Sequence, residues 1–443
     1  MKQNILQKLM LIAATLLTGS HAFASDFTAD GINYYILSES EKTVEVDKGY
    51  ENGYSGKIEI PENVTYNNTT YSVVSIGEGA FEDCENLTSV TIPKSITDIN
   101  HFAFEGCSRL TEIKVNEDNT VFDSRNNCNA IIETATNTIV VGCKSTVFPS
   151  TVTCINTYAF HRISTLTHLE IPDNITNISG GAFAGSGLNS IIVKDGNPNY
   201  DSRDNCNAII ETATNSLIVG CKNTTIPNTV TSLGIGAFYE CRGLTSLAIP
   251  NNITTIGGSA FDGCEDLVTI ELPNGITNIE DWTFSGCSSL ISITLPKTVT
   301  NIGYRAFYGC ESLKEIYCKP TTPPTFLDLD SYHDSFNDYI LQNTYLYVPK
   351  GSKNDYETVE PWSKFRYIIE KDFSSIESTF ANDDIRVCVV NGKISVNGTD
   401  NAIVEVYNLN GKCVYSGNDT TIPVTTNGMY IVKVGNKPYK VVL

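Results

Sequence analysis

The chain has 443 residues, of which 41% are hydrophobic and 32 are glycine, so it can form a packed core and does not have the composition of a disordered chain. It carries 50 acidic against 30 basic residues, a formal net charge of −20, which argues against nucleic acids and anionic membrane surfaces as partners. No segment after the N-terminal region is apolar enough to cross a bilayer, so we expect no direct membrane insertion.

The first 24 residues are typical of a secretory signal peptide. Lys2 and Lys8 give a positive end, and the apolar run Leu9–Leu17 is too short for a membrane-spanning helix. Ala22-Phe23-Ala24 matches the small-residue cleavage motif, which predicts cleavage between Ala24 and Ser25 and an exported mature chain.

An internal repeat occupies most of the chain that follows. The pair Ala-Phe, or Thr-Phe in one copy, marks each unit. Five of the seven intervals between these pairs are 23 residues, and the other two, of 56 and 55 residues, contain one period plus an insertion. The repeat phenylalanines are Phe81, Phe104, Phe160, Phe183, Phe238, Phe261, Phe284 and Phe307. A fixed period of this length predicts a solenoid in which successive coils stack.

One full unit shows what each coil contains. Leu267, Ile270 and Leu272 end in two-residue alternation, which indicates a strand with one buried face, and Pro273 follows and stops it. Phe284 and Cys287 close the unit after a stretch too short for a long helix. We therefore predict a mainly β solenoid with short strands, turns or 3₁₀ segments on the return side, and with Phe261, Phe284 and Phe307 aligned in one column.

The repeat resembles the leucine-rich repeats of the BspA-like family of bacterial surface proteins, over roughly residues 27–371. The resemblance implies a leucine-rich-repeat solenoid that binds host matrix proteins or partner bacteria. We accordingly divide the chain into a signal peptide (1–24), an N-terminal cap with the first strands (25–75), repeats (76–320) with insertions near 116–146 and 195–223, a C-terminal cap (321–371) and a further domain (372–443).

The cysteines fall into two groups. Six follow a repeat phenylalanine by three residues, at an inward position where a free thiol packs as a small hydrophobe, and a straight ladder of this kind does not converge on a metal ion. These six are Cys84, Cys107, Cys241, Cys264, Cys287 and Cys310. Each insertion has two apolar runs that predict a β-hairpin. Its register sets Cys128 opposite Cys143 and Cys206 opposite Cys221, so each pair is either a cross-strand disulfide or two free thiols.

Residues 372–443 lack the repeat and have short alternating runs separated by Asn-Gly turns, as at 391–392, 397–398 and 410–411, which predict a small β-sandwich. The segments 404–412 and 427–434 resemble the C-terminal sorting domain of type IX-secreted Bacteroidetes proteins. That resemblance implies transport through the outer membrane, although the ending Val441-Val442-Leu443 lacks the basic residue that is frequent there. The alternative is a plain β-module without a sorting role.

No catalytic motif has a convincing spacing, and we expect no enzyme activity, metal or cofactor. The sequence contains no H-E-x-x-H, G-x-S-x-G, Walker loop, G-x-G-x-x-G or C-x-x-C. The histidines of the mature chain, His101, His161, His168 and His333, are expected at the surface or at edges. A repeat array without a lid is also a poor place for a water-excluding active site.

The outward positions of the repeat strands form a candidate binding face on the concave sheet. They are Ser89, Thr91, Glu112, Lys114, His168, Glu170, Ser190, Ile192, Ser246, Ala248, Thr269, Glu271, Ser292, Thr294, Glu315 and Tyr317. Only Tyr317 is a residue type that dominates interfaces, so the face predicts many weak contacts. We expect a monomer that binds an extracellular protein in adhesion. The alternatives are a glycan-binding accessory protein, a merely solvated face and, least favoured, a glycosidase-like enzyme.

Overall fold

A computed structural model describes residues 25–49, 53–326 and 335–373, and in the C-terminal region 386–390, 393–397, 403–408, 412–419, 421–424, 429–434 and 437–442. The predicted signal peptide, its cleavage site after Ala24, and His333 lie outside these residues. Within the described residues no helix has the length and apolar character needed to cross a membrane. The chain divides into two compact units, residues 1–149 and 150–443.

The first unit consists of short strands in three groups. An N-terminal sheet has the order β1-β2-β3-β6-β5, with β8 beside β6, whereas β4, β7 and β9 pair in parallel and β10, β11 and β12 pair antiparallel. The strands are β1 (Phe27–Ala29), β2 (Ile32–Ser38), β3 (Thr43–Asp47), β4 (Gly56–Glu59), β5 (Asn63–Tyr66), β6 (Thr69–Ile76), β7 (Leu87–Ile92), β8 (Asp98–Ile99), β9 (Glu112–Val115), β10 (Phe122–Asp123), β11 (Ile131–Glu133) and β12 (Thr138–Val141). Their inward side chains share one core cluster.

The second unit contains the remaining repeats and the segment that follows them. Its strands are β13 (Cys154–Ile155), β14 (His168–Ile171), β15 (Asn177–Ile178), β16 (Ser190–Val193), β17 (Tyr200–Asp201), β18 (Ala208–Glu211), β19 (Ser216–Gly220), β20 (Ser232–Leu233), β21 (Ser246–Leu247), β22 (Thr255–Ile256), β23 (Thr269–Glu271), β24 (Asn278–Ile279), β25 (Ser292–Leu295), β26 (Asn301–Ile302), β27 (Glu315–Cys318), β28 (Thr325–Phe326), β29 (Tyr345–Pro349) and β30 (Tyr367–Lys371). Two short helices, α1 (Asp338–Asn343) and α2 (Lys353–Thr358), flank β29. Three-residue 3₁₀ segments lie at Arg125–Asn127, Arg203–Asn205 and Trp362–Lys364.

Successive repeats of the second unit pair strand to strand. The longest parallel sheet has the order β21-β23-β25-β27-β29-β30, and a second parallel sheet, β24-β26-β28, joins the return segments. The return side therefore has two-residue strands and turns, as the repeat length predicts. This is a mainly β, leucine-rich-repeat type of fold with few helices.

The predicted phenylalanine column is confirmed. The ring centroids of Phe261 and Phe284 are 5.5 Å apart, and those of Phe284 and Phe307 are 5.7 Å apart, with the rings nearly parallel. Phe336, just before α1, continues the column at 5.5 Å. Each ring is fully buried, so each coil covers the apolar surface that its neighbour cannot bury alone.

The cysteines that follow these phenylalanines are buried free thiols, which confirms the prediction. Each thiol also donates a hydrogen bond to the carbonyl of the phenylalanine in the preceding coil, with Cys287 Sγ 3.2 Å from Phe261 O and Cys310 Sγ 3.1 Å from Phe284 O. Burial raises the pKa of Cys310 to about 12, so the thiols remain protonated and poorly nucleophilic.

Both insertions form the predicted β-hairpins, β11–β12 and β18–β19. Next to the turn the register is the predicted one, with Glu133 opposite Thr138 and Glu211 opposite Ser216. Further from the turn, a β-bulge in each hairpin shifts the register by one residue. The expected pairing of the cysteines beyond the bulge is therefore wrong.

Of the two alternatives for Cys128–Cys143 and Cys206–Cys221, the structure has the free thiols, and all four residues are buried. Cys143 donates to Asn129 O at 3.3 Å, and Cys221 donates to Asn207 O at 3.4 Å. The thiols of Cys128 and Cys206 instead face the carbonyls of Ala130 and Ala208, two residues further along the chain, at 3.8 and 3.7 Å. The bulge is the physical reason, because it moves each first-strand cysteine away from the position opposite its partner.

The C-terminal region forms two antiparallel sheets, β31-β32-β35 and β34-β33-β36-β37. The strands are β31 (Arg386–Val390), β32 (Lys393–Asn397), β33 (Val404–Asn408), β34 (Cys413–Gly417), β35 (Thr421–Pro423), β36 (Met429–Val434) and β37 (Lys437–Val442). Inward residues of both sheets, including Ile394 and Ile422 from one and Val406 and Val432 from the other, share a core cluster. The predicted turns at 391–392 and 410–411 lie outside the described residues.

Candidate binding face

Parallel pairing arranges the outward side chains of the second unit in two rows. The first row follows the register Ser246, Thr269, Ser292, Glu315, Tyr345 and Tyr367. The second row follows Glu271, Thr294, Tyr317, Tyr347 and Ile369. Because neighbouring strands are about 4.8 Å apart, side chains within a row contact one another. We call this surface the strand face.

The predicted residues on the repeats form the polar part of this face. Ser246, Thr269, Ser292 and Thr294 are half-buried, and Glu271 is exposed. Lost hydration within the face raises the pKa of Glu271, and the positive charge of Lys319 opposes the rise. This part offers hydrogen-bonding groups and little apolar surface.

Two further strand pairs carry the other predicted residues. On β14 and β16, His168 lies opposite Ser190 with its Nδ1 3.2 Å from Ser190 Oγ, and Glu170 lies opposite Ile192. His168, Glu170 and Ile192 are exposed. The parallel strands β14 and β16 therefore also place their outward side chains in two rows, each of two residues.

In the first unit, β7 and β9 place Ser89 opposite Glu112 and Thr91 opposite Lys114. Lys114 forms an ion pair with Glu112, and Ser89 Oγ donates to Glu112 Oε2 at 2.9 Å. The hydrogen bonds of Lys114 and Ser89 hold the pKa of Glu112 below its usual range. Ser89 lies in the outward row opposite Glu112 but is only 6% exposed, because its hydroxyl is covered where it meets that carboxylate.

The strand face ends on a tyrosine-rich region in the segment assigned to the C-terminal cap, and these tyrosines were not among the predicted residues. β29 and β30 continue the repeat sheet in register, and they add three tyrosines beside Tyr317. Tyr317 stacks on Tyr347 and Tyr345 stacks on Tyr367, with ring centroids 4.9 Å apart in each pair. We call these four residues the tyrosine cluster.

Tyr317 is therefore not the only tyrosine of the face, although it was the only one among the predicted residues. Tyr345-Leu346-Tyr347-Val348 has the two-residue alternation of a half-buried strand, so β29 could be recognised as a strand. However, β29 follows β27 by 30 residues and β30 follows β29 by 22 residues, so a search for the 23-residue period does not find them.

One carboxylate organises the hydroxyl groups at the edge of the cluster. Glu315 Oε2 accepts a hydrogen bond from the Tyr317 hydroxyl at 2.8 Å, and its charge also acts on the hydroxyl of Tyr347. Burial and Glu315 both raise the pKa of Tyr317, and the same two causes raise that of Tyr347. Both hydroxyls are therefore protonated donors at neutral pH.

Three of the four histidines considered above, His101, His161 and His168, lie within the described residues. His101 and His168 are exposed as predicted. His161 is only 5% exposed, with its Nε2 3.3 Å from Glu240 Oε2 and its ring 4.9 Å from that of Tyr158, so the expected surface position is wrong.

The physical reason is the second insertion. The coil after the second insertion carries Glu240, whose carboxylate reaches the ring of His161. A Cβ at Gly185 would lie 2.6 Å from Arg162 Cγ and 2.7 Å from Glu240 Oε2, so both side chains pack closely over this glycine. In the described part of the chain, no group of three or more His, Cys, Asp or Glu side chains is arranged to hold a metal ion.

Several proteins are similar to this chain. A leucine rich cell surface protein from Faecalibacterium prausnitzii is 23% identical over 81% of this chain and 97% of its own, with a TM-score of 0.39. The pneumococcal vaccine antigen PcpA is 19% identical over 79% of this chain and 100% of its own, with a TM-score of 0.43. A leucine-rich repeat protein from Bacteroides ovatus is 24% identical over 73% of this chain and 100% of its own, with a TM-score of 0.26. No curated protein sequence matches the chain.

The repeats also match a family model. The model describes the BspA type leucine rich repeat region and matches in six copies, over residues 55–139, 139–217 and 208–326. These ranges together cover more than half of the chain and include both hairpin insertions. The chain therefore belongs to the BspA-type leucine-rich repeat family.

Proposed function

We propose that this protein is exported to the bacterial surface, or secreted, and binds an extracellular protein through the strand face, as a monomer and without catalysis. The observation that carries the proposal is the continuous pair of outward rows that ends on the tyrosine cluster. Tyrosine is enriched among the residues that dominate protein interfaces, because it buries a large rigid surface and keeps a hydroxyl for hydrogen bonding. Adhesion to host matrix proteins or to other cells would use such a face.

The arrangement of the tyrosine rings favours a protein ligand over a glycan. Each ring of the cluster turns one face toward a stacked partner, and Lys371 Nζ lies 4.4 Å from the Tyr317 centroid and 4.9 Å from that of Tyr347. A sugar ring stacks on an open aromatic face, whereas this cluster presents mainly edges and hydroxyls. Glycan binding is the alternative, and the experiment below separates the two.

We also propose that the repeats of each unit stack as a solenoid and that the C-terminal region is a β-sandwich that serves in export. The stacked phenylalanines support the first statement, and the core cluster shared by two antiparallel sheets supports the second. Proteolysis of intact cells, followed by mapping of the C terminus of the released fragments, tests exposure and sorting together. Deletion of residues 372–443 should then leave the repeats inside the cell, and surface exposure of the deleted form would contradict the sorting role.

The binding proposal is tested with the full mature chain against a panel of extracellular matrix proteins and a glycan array. Substituting alanine for Tyr345 or Tyr347 should weaken binding to the protein ligand by at least tenfold, since a hot-spot side chain contributes about 2 kcal/mol or more. Tyr339 is the matched control, because it is 48% exposed but lies on α1, outside the two rows.

Equal binding by the Tyr347→Ala and Tyr339→Ala variants would remove the strand face from consideration. Binding to glycans alone, lost in the Tyr347→Ala variant, would establish the alternative.

A further inference from the structure

Each stack of the tyrosine cluster carries a positively charged side chain. Lys371 Nζ lies over Tyr317 and Tyr347 at 4.4 and 4.9 Å, and the guanidinium of Arg366 lies 5.2 Å from the centroid of Tyr367. Contacts of this kind hold a cation against an aromatic ring without neutralising its charge. The two cations therefore remain available at the surface of the cluster.

Neither cation has a carboxylate partner among the residues that the structure describes. Two carboxylates on the strands that carry the cluster form hydrogen bonds with other groups. Glu315 accepts from the Tyr317 hydroxyl at 2.8 Å, and Glu370 accepts from the backbone N–H of Gly351 at 2.9 Å. In a chain with a net charge of −20, two such cations beside a tyrosine cluster make this end of the strand face locally complementary to an anion.

We propose that the tyrosine cluster, with Lys371 and Arg366, binds an acidic segment of a partner polypeptide and that Lys371 receives its carboxylate. The inference rests on the proposed function and specifies the partner chemistry at one end of the same face. A side-chain carboxylate meets Lys371, and neighbouring apolar or aromatic side chains of the segment pack against the edges of Tyr345 and Tyr347. The remaining surface of this acidic chain repels such a segment, so the cations also fix where it binds.

The covered ring faces decide the class of ligand. An acidic polysaccharide offers carboxylates too, but it gains much of its affinity for aromatic sites by stacking on open rings. Lys371 and Arg366 each occupy a ring surface that a sugar would need. A polypeptide needs only the ring edges, the hydroxyls and the charge.

The test uses the mature full-length protein and three defined probes: a random copolymer of glutamate and tyrosine, a copolymer of lysine and tyrosine, and polygalacturonate. The wild type should bind the glutamate–tyrosine copolymer and neither of the others, and binding should weaken as salt is raised. The Lys371→Glu variant should bind at least about tenfold more weakly, because a close charge pair is replaced by a repulsion. Lys371→Met should also lose affinity, and Lys371→Arg should retain it.

Lys314→Glu is the matched control, since Lys314 also lies over a tyrosine ring, at 5.3 Å from the centroid of Tyr339, but lies outside the two rows. Circular dichroism and thermal midpoints establish that each variant is folded. The inference is overturned if the wild type does not bind the glutamate–tyrosine copolymer, or if Lys371→Glu and Lys314→Glu bind it equally. Preferential, Lys371-dependent binding of polygalacturonate would overturn the polypeptide class.

Failure of this inference is distinguishable from failure of the proposed function. If a matrix protein binds the Tyr347→Ala variant more weakly but the Lys371→Glu variant as well as the wild type, only the proposal of an acidic segment is refuted. A matrix protein whose binding changes in neither variant would refute the strand face as well.

Discussion

In the second unit, the regular coils and the coil that contains the hairpin β18–β19 fill an equivalent position of the stack with different residues. In a regular coil a phenylalanine fills the position, and its backbone N–H donates to the next coil, as Phe261 does to Thr283 O at 2.9 Å. In the hairpin coil Gly220 makes the corresponding hydrogen bond, to Ala237 O at 2.7 Å, but has no side chain. The ring of Phe238 packs onto the glycine instead, so close that a Cβ there would lie 2.1 Å from its Cε1.

The comparison shows which part of the repeat is indispensable. The backbone ladder and the filled volume are kept in both coils, whereas the phenylalanine itself can be replaced by the ring of the next coil. The hairpin coil therefore keeps the ladder and the packing without a phenylalanine of its own. The insertion is compatible with stacking because only glycine allows this close approach.

The largest effect should follow from emptying the column in the regular coils. Phe284→Ala should lower the free energy of unfolding by about 3–5 kcal/mol, because it removes a fully buried ring and leaves a cavity between Phe261 and Phe307. Urea unfolding measures the loss. Ile291→Ala, at a residue that is 48% exposed, is the control and should change stability by no more than about 0.5 kcal/mol. Equal effects of the two substitutions would contradict the column.

The hairpin coil should respond to the opposite change, adding volume. Gly220→Ala should lower the free energy of unfolding by about 2–3 kcal/mol, since its methyl group overlaps the ring of Phe238. The double variant with Phe238→Leu should lose less free energy of unfolding than the sum of the losses of the two single variants, as a double-mutant cycle would measure.

Gly180→Ala is the control for this cycle, because nothing lies within 4 Å of a Cβ at that glycine. Strict additivity of Gly220→Ala and Phe238→Leu would show that the two residues do not share one volume.

Each buried cysteine that follows a repeat phenylalanine should contribute less to the free energy of unfolding than the phenylalanine does. Cys287→Ala removes the hydrogen bond to Phe261 O and should lower stability by roughly 1.5 kcal/mol. Because these cysteines are buried, they should be protected from alkylation in the folded protein. Cys413, which is exposed on β34, should react first. Peptide mapping after timed alkylation measures both, and early labelling of Cys264 or Cys310 would contradict their burial.

The smallest predicted effect depends on pH. Burial raises the pKa of Asp262 from 3.8 to about 6, and nearby Glu240 adds to the rise against hydrogen bonds from Ser285 and Ser259. Because the folded-state pKa is higher, the folded protein binds more protons than the unfolded chain between these values, and stability falls as pH rises through this window.

Asp262→Asn should therefore be more stable than the wild type above pH 6, by less than about 1 kcal/mol since partial exposure screens the charge. The difference should vanish below about pH 4, as unfolding at several pH values would measure. Glu265→Gln, at an exposed carboxylate three residues along the chain, should show no such dependence. A wild-type advantage at pH 7 would refute the interpretation of Asp262.

The repeat period alone identified most of the coils. Leu267, Ile270 and Leu272 are spaced as a half-buried strand, and the structure places such strands in one parallel sheet. The outward residues Thr269, Ser292 and Glu315 could be assigned for the same reason, because alternation fixes which side chains face away from the core. Where the period changed, at β29 and β30, the same reasoning did not extend to Tyr345 and Tyr367.

The sequence by itself determined the elements that repeat: the strand positions, the phenylalanine column, the inward thiols and the hairpins, because each depends on local alternation or on a contact with an equivalent residue one period away. Only the tertiary structure decided what depends on contacts without a fixed spacing. These are the bulges that separate the hairpin cysteines, the burial of His161 against Glu240, and the tyrosine cluster with Lys371. The residues of each feature come together because coils of unequal length stack on one another, and no single repeat period predicts such contacts.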